Sequence, residues 1–485
     1  MWIEHPIASA HDPNDGAGFF TRMSLSLGDR RAAVFNPLPW VALFFALFFS
    51  GQLFAQSAAS VSLVKASRLL DPRTGNVLSP AAVLIEDGKI KAVGPPARVQ
   101  ADAPAGVKTI DLGSATLLPG LIDGHTHLLI DVIAPPEAEI TRLYNGMFVP
   151  GLMLAIALSP SERVLLGAQL AREDLESGFT TVRNLGHSGI DGDIALRDAI
   201  NAGRITGPRI LAAGRKLTPL GGYFESLNPA VAQAIVQQEF LQVDSPDSAR
   251  QAVRTNVFYN ADLIKVAVED NLTQAEVTAV VDEAHRQHLK VAVHAFSSTS
   301  IQMAIDAGVD SIEHGNGVTD AQLKLMRDKG IFFDLTPTFY GGRLTRILDA
   351  TIVMSAGFRS AQVSGDERSK RRYDSLVQRV LKSGVKFALG SDMCWFYPGK
   401  TRGQASANVI TTVHETGMPP LDIIRAVTTN AAELLGWQDR VGAVEPGKFA
   451  DLIAVAGDPL TDIGELERVQ FVMKGGLVIR NDIRQ

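Results

Sequence analysis

Residues 119–127 read P-G-L-I-D-G-H-T-H, an apolar, β-prone run that ends in two histidines. On a strand, His125 and His127 are two positions apart, so their side chains point to the same side. Two imidazoles on one side can bind one metal ion together. Functional sites of β/α barrels lie at the carboxyl ends of the strands. The stretch therefore predicts a metal site at the end of a first barrel strand.

The middle of the chain alternates short apolar runs with helical patterns. Ser159–Glu162 and Thr273–Glu276 have the form of capping boxes, which mark helix starts. Eight strand-like runs are present, at 117–127, 180–186, 208–214, 262–269, 290–295, 310–315, 331–337 and 385–392. Eight β/α units predict an α/β fold, a (β/α)8 TIM-like barrel.

The two ends of the chain are instead rich in short β-prone runs separated by turn signals, as at 61–70 and 450–455. We predict that both ends build one small β-sandwich from residues 56–118 and 440–485. The barrel would then comprise residues 119–439.

An uncharged apolar run, W-V-A-L-F-F-A-L-F-F, occupies residues 40–49 and is followed by small residues up to Ala55. Ten apolar residues are fewer than the roughly 20 that a membrane span needs. With two arginines before it, the run is typical of a secretory signal peptide. We expect removal of 1–55, translation from Met23, a periplasmic or secreted protein and no stable membrane span after cleavage. An uncleaved N-terminal anchor is the alternative.

The amino-acid composition excludes several classes of function and of metal site. The 485 residues include 46 Lys and Arg against 52 Asp and Glu, a net charge of −6, and 46% are hydrophobic. A mildly acidic globular chain without a long basic run is not expected to bind nucleic acid. The one cysteine cannot form an intrachain disulfide or a cysteine-based zinc cluster. A metal would therefore be held by histidine, by carboxylate or by a less usual ligand.

Polar residues recur where the predicted strands end: His125, His127, His294, His314 and Asp392. Each alone is consistent with a buried, hydrogen-bonded core residue, but five at one rim favour a metal site. Lys265 lies inside L-I-K-V-A-V, where a buried charge is costly. It either snorkels to the barrel mouth, pairs with Glu269, or is a neutral amine that captures carbon dioxide as a carbamate.

These elements resemble the amidohydrolase superfamily: P-G-L-I-D-G-H-T-H, Lys265, His294, E-H-G at 313–315 and G-S-D at 390–392. So do N-A-A-E-L-L-G (430–436) and G-A-V-E-P-G-K-F-A-D-L-I (442–453). More narrowly, the chain is similar to the imidazolonepropionase-like and prolidase-like branch, with its Xaa-Pro dipeptidases and ochratoxin-degrading amidases. The resemblance covers essentially the whole mature chain and implies a distorted (β/α)8 barrel with a small β-sandwich.

The resemblance also implies two divalent metal ions, with zinc as the default. Carried over by position, it assigns one ion to His125, His127 and Asp392, the second to His294 and His314, and the bridging role to N6-carboxylated Lys265. The implied nucleophile is a metal-bridging hydroxide. Asp392 would be the general base and would return the proton to the leaving nitrogen.

Substrate contacts are less well defined. Relatives carry a glycine-rich stretch after the bridging lysine, whereas residues 266–271 here read V-A-V-E-D-N. Glu269 and Asp270 would either place negative charge near the site or form a solvated loop. Long segments at about 218–261 and 338–372 follow the third and seventh predicted strands, where loops shape the pocket. Candidate substrate-binding residues are His187, Tyr223, Tyr340 and Arg343.

The leading functional hypothesis is hydrolysis of an amide bond in a small molecule, namely a dipeptide or an N-acyl amino acid, ochratoxin-type amides included. One alternative is a cyclic amide hydrolase or deaminase of the imidazolonepropionase type. Such relatives usually use one metal, so Lys265 weighs against it. A metal-free scaffold protein is the other alternative, but none of the six ligand positions is missing. Relatives often assemble into symmetric oligomers, which implies a homo-oligomer.

Overall fold

Parallel strands run through the middle of the chain, as the eight apolar runs predict. The computed structural model describes residues 61–131, 158–219, 233, 236–268, 272–337, 367–394 and 399–483. The middle strands are β8 (Leu121–Thr126), β9 (Phe179–Asn184), β10 (Arg209–Ala212), β11 (Lys216–Thr218), β12 (Phe240–Gln242), β13 (Leu263–Ala267), β14 (Lys290–Ala295), β15 (Ser311–His314), β16 (Phe332–Leu335) and β17 (Phe387–Leu389). Each of the eight predicted runs overlaps one of them, while β11 and β12 are additional.

These strands form two parallel sheets. One has three strands in the order β10-β9-β8, and the other has seven in the order β12-β11-β13-β14-β15-β16-β17. A bridge between Thr126 and Met393 connects the end of β8 with the residues that follow β17. The first strand and the last strand of the series therefore lie side by side.

Helices follow most of these strands. The described helices are α1 (Pro96–Ala101), α2 (Pro160–Glu176), α3 (Gly192–Asn201), α4 (Pro246–Phe258), α5 (Gln274–Arg286), α6 (Ser298–Ala307), α7 (Asp320–Lys329), α8 (Glu367–Ser383), α9 (Arg402–His414), α10 (Pro420–Ala426) and α11 (Thr429–Leu435). The two predicted capping boxes are confirmed, because Ser159 and Thr273 each accept from the backbone amide three residues on. A 3-10 helix spans Ile463–Glu467. Among the described residues, no helix is long and apolar enough to cross a membrane.

The chain ends form two further sheets. Their strands are β1 (Val61–Ala66), β2 (Arg68–Leu70), β3 (Val77–Leu78), β4 (Ala81–Glu86), β5 (Lys89–Gly94), β6 (Lys108–Asp111), β7 (Thr116–Pro119), β18 (Leu452–Val455), β19 (Phe471–Lys474) and β20 (Leu477–Asn481). The orders are β5-β4-β1-β6 and β20-β19-β18-β7-β2-β3. Early and late strands thus share one sheet. Side chains of both sheets, such as Val83, Ile85, Leu452 and Phe471, pack in a common apolar cluster.

Alternation along the parallel strands sorts their side chains into two cores. On β13, Leu263 belongs to a cluster with Ile122 and Phe332, which is covered by residues of α11. The neighbouring Ile264 and Val266 instead pack with the residues of the surrounding helices. Lys265 is therefore on the same strand face as Leu263, two residues closer to the carboxyl end. The apolar inner core ends where the polar site begins.

Candidate metal centre

The six predicted ligand residues come together at the carboxyl ends of the parallel strands. The histidine rings are neighbours: the ring centroids are 5.3 Å apart for His125 and His127, 5.0 Å for His125 and His314, and 4.6 Å for His294 and His314. All six side chains are buried, with Lys265 only 1% exposed. Residues up to 267 positions apart in the sequence thus share one small polar region.

His127 and Asp392 define one candidate ion position. The carbonyl oxygen of Gly186 lies 3.0 Å from His127 Nδ1, so that nitrogen carries the proton of the neutral ring. His127 Nε2 then presents a lone pair 3.1 Å from Asp392 Oδ1. Burial lowers the pKa of His127 and so favours the neutral ring. Two lone pairs that face each other repel unless a cation lies between them. His127 Nε2 and Asp392 Oδ1 are therefore suited to be ligands of one divalent metal ion.

His125 completes this group, and its second nitrogen is held by a carboxylate. His125 Nε2 is 3.4 Å from Asp392 Oδ1, and its Nδ1 is 3.0 Å from Glu313 Oε2. Ligand atoms of His125, His127 and Asp392 all lie within 4.8 Å of one another. Since Glu313 accepts the Nδ1 proton, the lone pair of His125 Nε2 is left available to a metal ion, an arrangement common around metal-bound histidine.

Glu313 belongs to a buried network that sequence reasoning missed. Arg183 Nη2 donates to both oxygens of Glu313, at 3.0 and 2.9 Å, and to Asp334 Oδ2 at 2.8 Å. Burial, followed by the charge of Glu313, raises the pKa of Asp334 well above its usual range. Burial alone would raise the pKa of Glu313, but Arg183 and Lys265 hold it below its usual value. The only sequence signal was an arginine within the apolar run T-T-V-R-N-L-G.

The second group surrounds Lys265. Its Nζ has no hydrogen-bond partner within the part of the chain that the structure describes. Burial lowers the pKa of this amine to about 8, against the opposing charge of Glu313. His294 and His314 lie alongside, and burial lowers the pKa of both rings well below the usual value. His314 Nδ1 is 2.8 Å from Thr336 Oγ1. The neutral imidazoles of His294 and His314, next to the buried amine of Lys265, are suited to a second divalent ion with a carbamate on Lys265 as bridging ligand.

Backbone strain is concentrated at this site. Asp392, His314 and His187 have φ values of 49°, 69° and 58°, the left-handed region that side chains with a Cβ rarely adopt. Such conformations persist where the surrounding structure enforces them, often at functional sites. Two candidate ligands are therefore presented by a backbone that costs free energy to maintain.

Of the four predicted substrate contacts, the structure describes one. The His187 ring lies 4.9 Å from that of His127, and its Nε2 is 2.8 Å from Lys216 Nζ. Lys216 is 2% exposed and was not predicted from the sequence. Burial, and next the charge of Lys265, lower the pKa of Lys216 to about 7. Tyr223, Tyr340 and Arg343 lie outside the described residues, as do Glu269 and Asp270.

Cys394, two residues after Asp392, does not provide a nucleophile. Burial raises the pKa of its thiol far above the usual value, with the charge of Asp392 adding to the effect. Attack on a carbonyl would require the thiolate. Cys394 is therefore best described as a partly buried packing residue.

Comparison with known proteins places this geometry in a family. The amidohydrolase family model matches residues 116–479, and a bacterial imidazolonepropionase-like composite domain matches residues 81–105. Ochratoxinase from Aspergillus niger is 28% identical over 459 residues, 87% of each chain. Imidazolonepropionase from Deinococcus deserti is 28% identical over 400 residues, 80% of this chain and 88% of that one.

Comparison of the structure with solved structures gives the same family. The crystal structure of a Xaa-Pro dipeptidase with methionine bound in its active site matches with a TM-score of 0.71 and 30% identity, covering 87% of this chain and all of that one. These relatives are hydrolases that act on carbon–nitrogen bonds. Three-quarters of the present chain falls within the family match, and its strand ends carry the residues described above. The chain therefore belongs to the amidohydrolase family.

Proposed function

We propose that the protein is a binuclear, metal-dependent amidohydrolase. Its substrates are small molecules with a peptide-like amide bond, namely dipeptides or N-acyl amino acids, ochratoxin-type amides included. The observation that carries the proposal is Lys265, whose amine is buried without a hydrogen-bond partner among the described residues, beside four histidines and Asp392. A mononuclear site would leave this costly buried amine without a role.

In this proposal His125, His127 and Asp392 would hold one divalent ion, His294 and His314 would hold the other, and carboxylated Lys265 would be a ligand of both. Zinc is the expected ion, since imidazole and carboxylate suit it. When bound, divalent cations supply Lewis acidity, which acidifies water and polarises an amide carbonyl. Asp392 accepts the proton of the attacking water at a carboxylate oxygen and returns it to the leaving nitrogen.

Several features support Asp392 in that role. Burial would raise its pKa, but the neighbouring imidazoles of His127 and His314 outweigh burial and keep that pKa below its usual value. The carboxylate is thus ionised and able to accept a proton. Its left-handed backbone directs it towards His125 and His127, with separations of 3.4 and 3.1 Å from Oδ1.

We also propose that the parallel strands close into a distorted (β/α)8 barrel over residues 119–439. The bridge between Thr126 and Met393 supports closure. The terminal sheets, within 56–118 and 440–485, would form a β-sandwich around their shared apolar cluster. In the sequence, β7 and β8 form one continuous run, and Gly120 separates them in the structure.

We further propose that translation begins at Met23, that residues up to Ala55 are removed on export, and that the mature enzyme is a periplasmic or secreted homo-oligomer. N-terminal sequencing of the exported protein should give a start near residue 56. A mature chain that retains Trp2 would refute the proposal. Light scattering of the same preparation measures the number of subunits.

The test of function is a substrate screen with metal-loaded protein. Dipeptides, N-acyl amino acids and ochratoxin-type amides are offered beside cyclic ureas and imidazolones, and bound metal is counted in the same preparation. The proposal expects about two ions per chain and turnover of linear amides. Turnover confined to cyclic substrates, with one ion, would instead support imidazolonepropionase-like chemistry, which the match at residues 81–105 makes the second candidate. No metal after supplementation would indicate a scaffold.

A further inference from the structure

Lys216 lies beside Lys265 on the neighbouring strand. β11 and β13 are parallel, with Leu217 opposite Val266. Lys216 and Lys265 each come one residue earlier, so they occupy the same level of the sheet. Leu217 and Val266 both pack in the outer apolar cluster, and therefore the two lysines point to the opposite face, where the candidate ligands lie. Both lysines are almost completely buried, at 2% and 1% exposure.

The position of Lys216 is fixed by its neighbours. Its Nζ lies 2.8 Å from His187 Nε2. Its stem packs so closely on Gly186 that a Cβ there would approach the Lys216 Cγ to 2.5 Å and Cε to 2.6 Å. The same Gly186 carbonyl orients His127. Close packing against the loop of Gly186 and His187 thus holds the end of Lys216 within the site.

Two adjacent ammonium groups in a buried site repel each other. Asp392 and Glu239 are the carboxylates that counter the charge of Lys216. Glu239, however, is already paired with Arg163, and Asp392 faces two histidines. An additional anion at the end of Lys265 would therefore convert a repulsive pair of lysines into an attractive one.

We propose that Lys216 is a positioning residue that stabilises the carbamate of Lys265 by placing a cation beside it. The inference rests on the proposed function, because it presupposes carboxylated Lys265. In the reaction, the Lys265 nitrogen lone pair bonds to the carbon of carbon dioxide. One C=O π pair moves onto oxygen, and the displaced N–H proton passes to solvent. The product is a neutral N–H with a terminal carboxylate, which the Lys216 ammonium attracts.

In the experiment the protein is first prepared free of metal and then supplied with a fixed, saturating concentration of zinc. It is titrated with ¹³C-bicarbonate, and the carbamate signal is measured by NMR. Wild type is compared with Lys216→Met, which removes the charge at similar length, and with Lys216→Arg, which keeps it. Lys324→Met, on the exposed side of α7, is the control for loss of one positive charge. Lys216→Met should need about tenfold to a hundredfold more bicarbonate for half-maximal carbamate. Lys216→Arg and the control should remain within a few-fold of wild type.

Other outcomes separate this inference from the proposed function. No carbamate in wild type at saturating bicarbonate would refute the carbamate bridge itself. Carbamate in wild type with an unchanged bicarbonate requirement in Lys216→Met would overturn only the role of Lys216. So would equal shifts in Lys216→Met and Lys216→Arg, since the effect would then be steric. A higher KM with normal carbamate would show that Lys216 binds substrate instead. If Lys216→Met does not unfold cooperatively, Lys216→Gln is titrated in its place.

Discussion

Asp392 combines two demands at one side chain, since it lies against two histidines and, in the proposed mechanism, also exchanges a proton. Asp392→Asn keeps the shape but removes the basic oxygen, and kcat should fall by about 10²- to 10⁴-fold. Asp282→Asn, an exposed change on α5, is the matched control. Steady-state kinetics with a metal count on each variant make the measurement. A kcat within tenfold of wild type would exclude the proton-transfer role.

Glu313 acts through His125 and has no expected contact with substrate. In Glu313→Gln one acceptor is lost, so Arg183 and the His125 Nδ1 proton compete for the oxygen that remains. We expect metal affinity or activity to fall by about 10- to 100-fold, as for other carboxylates behind metal-bound histidine. Metal-binding titration measures it, with exposed Glu415→Gln as control. Unchanged affinity would mean that His125 needs no such support.

The residue scale also shows where sequence reasoning succeeds. That the six candidate ligands lie together was predictable, because each lies in or directly after a β-prone run, and the carboxyl ends of such strands meet at one rim of the fold. Their role as metal ligands stays a prediction. Arg183 and Lys216 were not predictable, because their partners come from other strands: Arg183 meets Glu313 across 130 positions. Tyr223, Tyr340 and Arg343 stay predictions.

At the scale of elements, helix α9 connects the ends of β8 and β17. Its first residue, Arg402, is buried and donates to the carbonyl oxygens of His127 at 3.3 Å and Met393 at 2.5 Å, and to Asp131 Oδ1 at 3.0 Å. In Arg402→Lys all N–H donors are on a single nitrogen atom, so the side chain cannot reach all of these acceptors. We expect weaker metal binding, by about tenfold. The control is exposed Arg327→Lys, and equal metal affinities would contradict the linkage.

Helix α2 carries a buried acid that makes stability depend on pH. Burial raises the pKa of Asp174 to about 8, and its Oδ2 has no hydrogen-bond partner among the described residues. Because the folded state binds this proton more tightly than the unfolded state, its stabilising effect is complete below about pH 4 and is lost as the pH rises towards 8.

Asp174→Asn removes this titration. The free energy of unfolding of the variant should therefore gain on that of wild type between pH 5 and pH 8, by at most about 1.4 kcal/mol per pH unit. Urea unfolding at several pH values measures the difference, with Asp282→Asn as control. A difference that does not change with pH would show that Asp174 titrates normally.

At the scale of the whole molecule, the two chain ends depend on each other. β18 pairs with β7 along four residues, Thr116 to Pro119, and Leu452 and Phe471 belong to the shared apolar cluster. A chain that ends at residue 440 would expose that cluster to water. We expect it to aggregate, whereas a chain ending at 483 behaves like wild type. Solubility and cooperative unfolding are the measurements, and a soluble, cooperative 440-residue form would contradict the interdependence.

The general organisation followed from the sequence because helical and strand periodicities alternate so regularly between residues 117 and 392. The short strands β11 and β12 did not follow, since three residues carry too little pattern to distinguish a strand from a loop. Yet β11 bears Lys216. An unpredicted strand of the fold therefore supplies one of the residues of the site that the sequence did not predict.

The shared terminal sheet has a consequence for biosynthesis. β7 leaves the ribosome early, but its neighbour β18 begins at residue 452. At about 5–20 residues per second, a chain of 485 residues takes roughly 25 to 100 s to make. For most of that time β7 can pair with β2 along one edge, but its other edge has no partner. Chaperones therefore meet a nascent molecule in which this sheet is completed only after β18 has been synthesised.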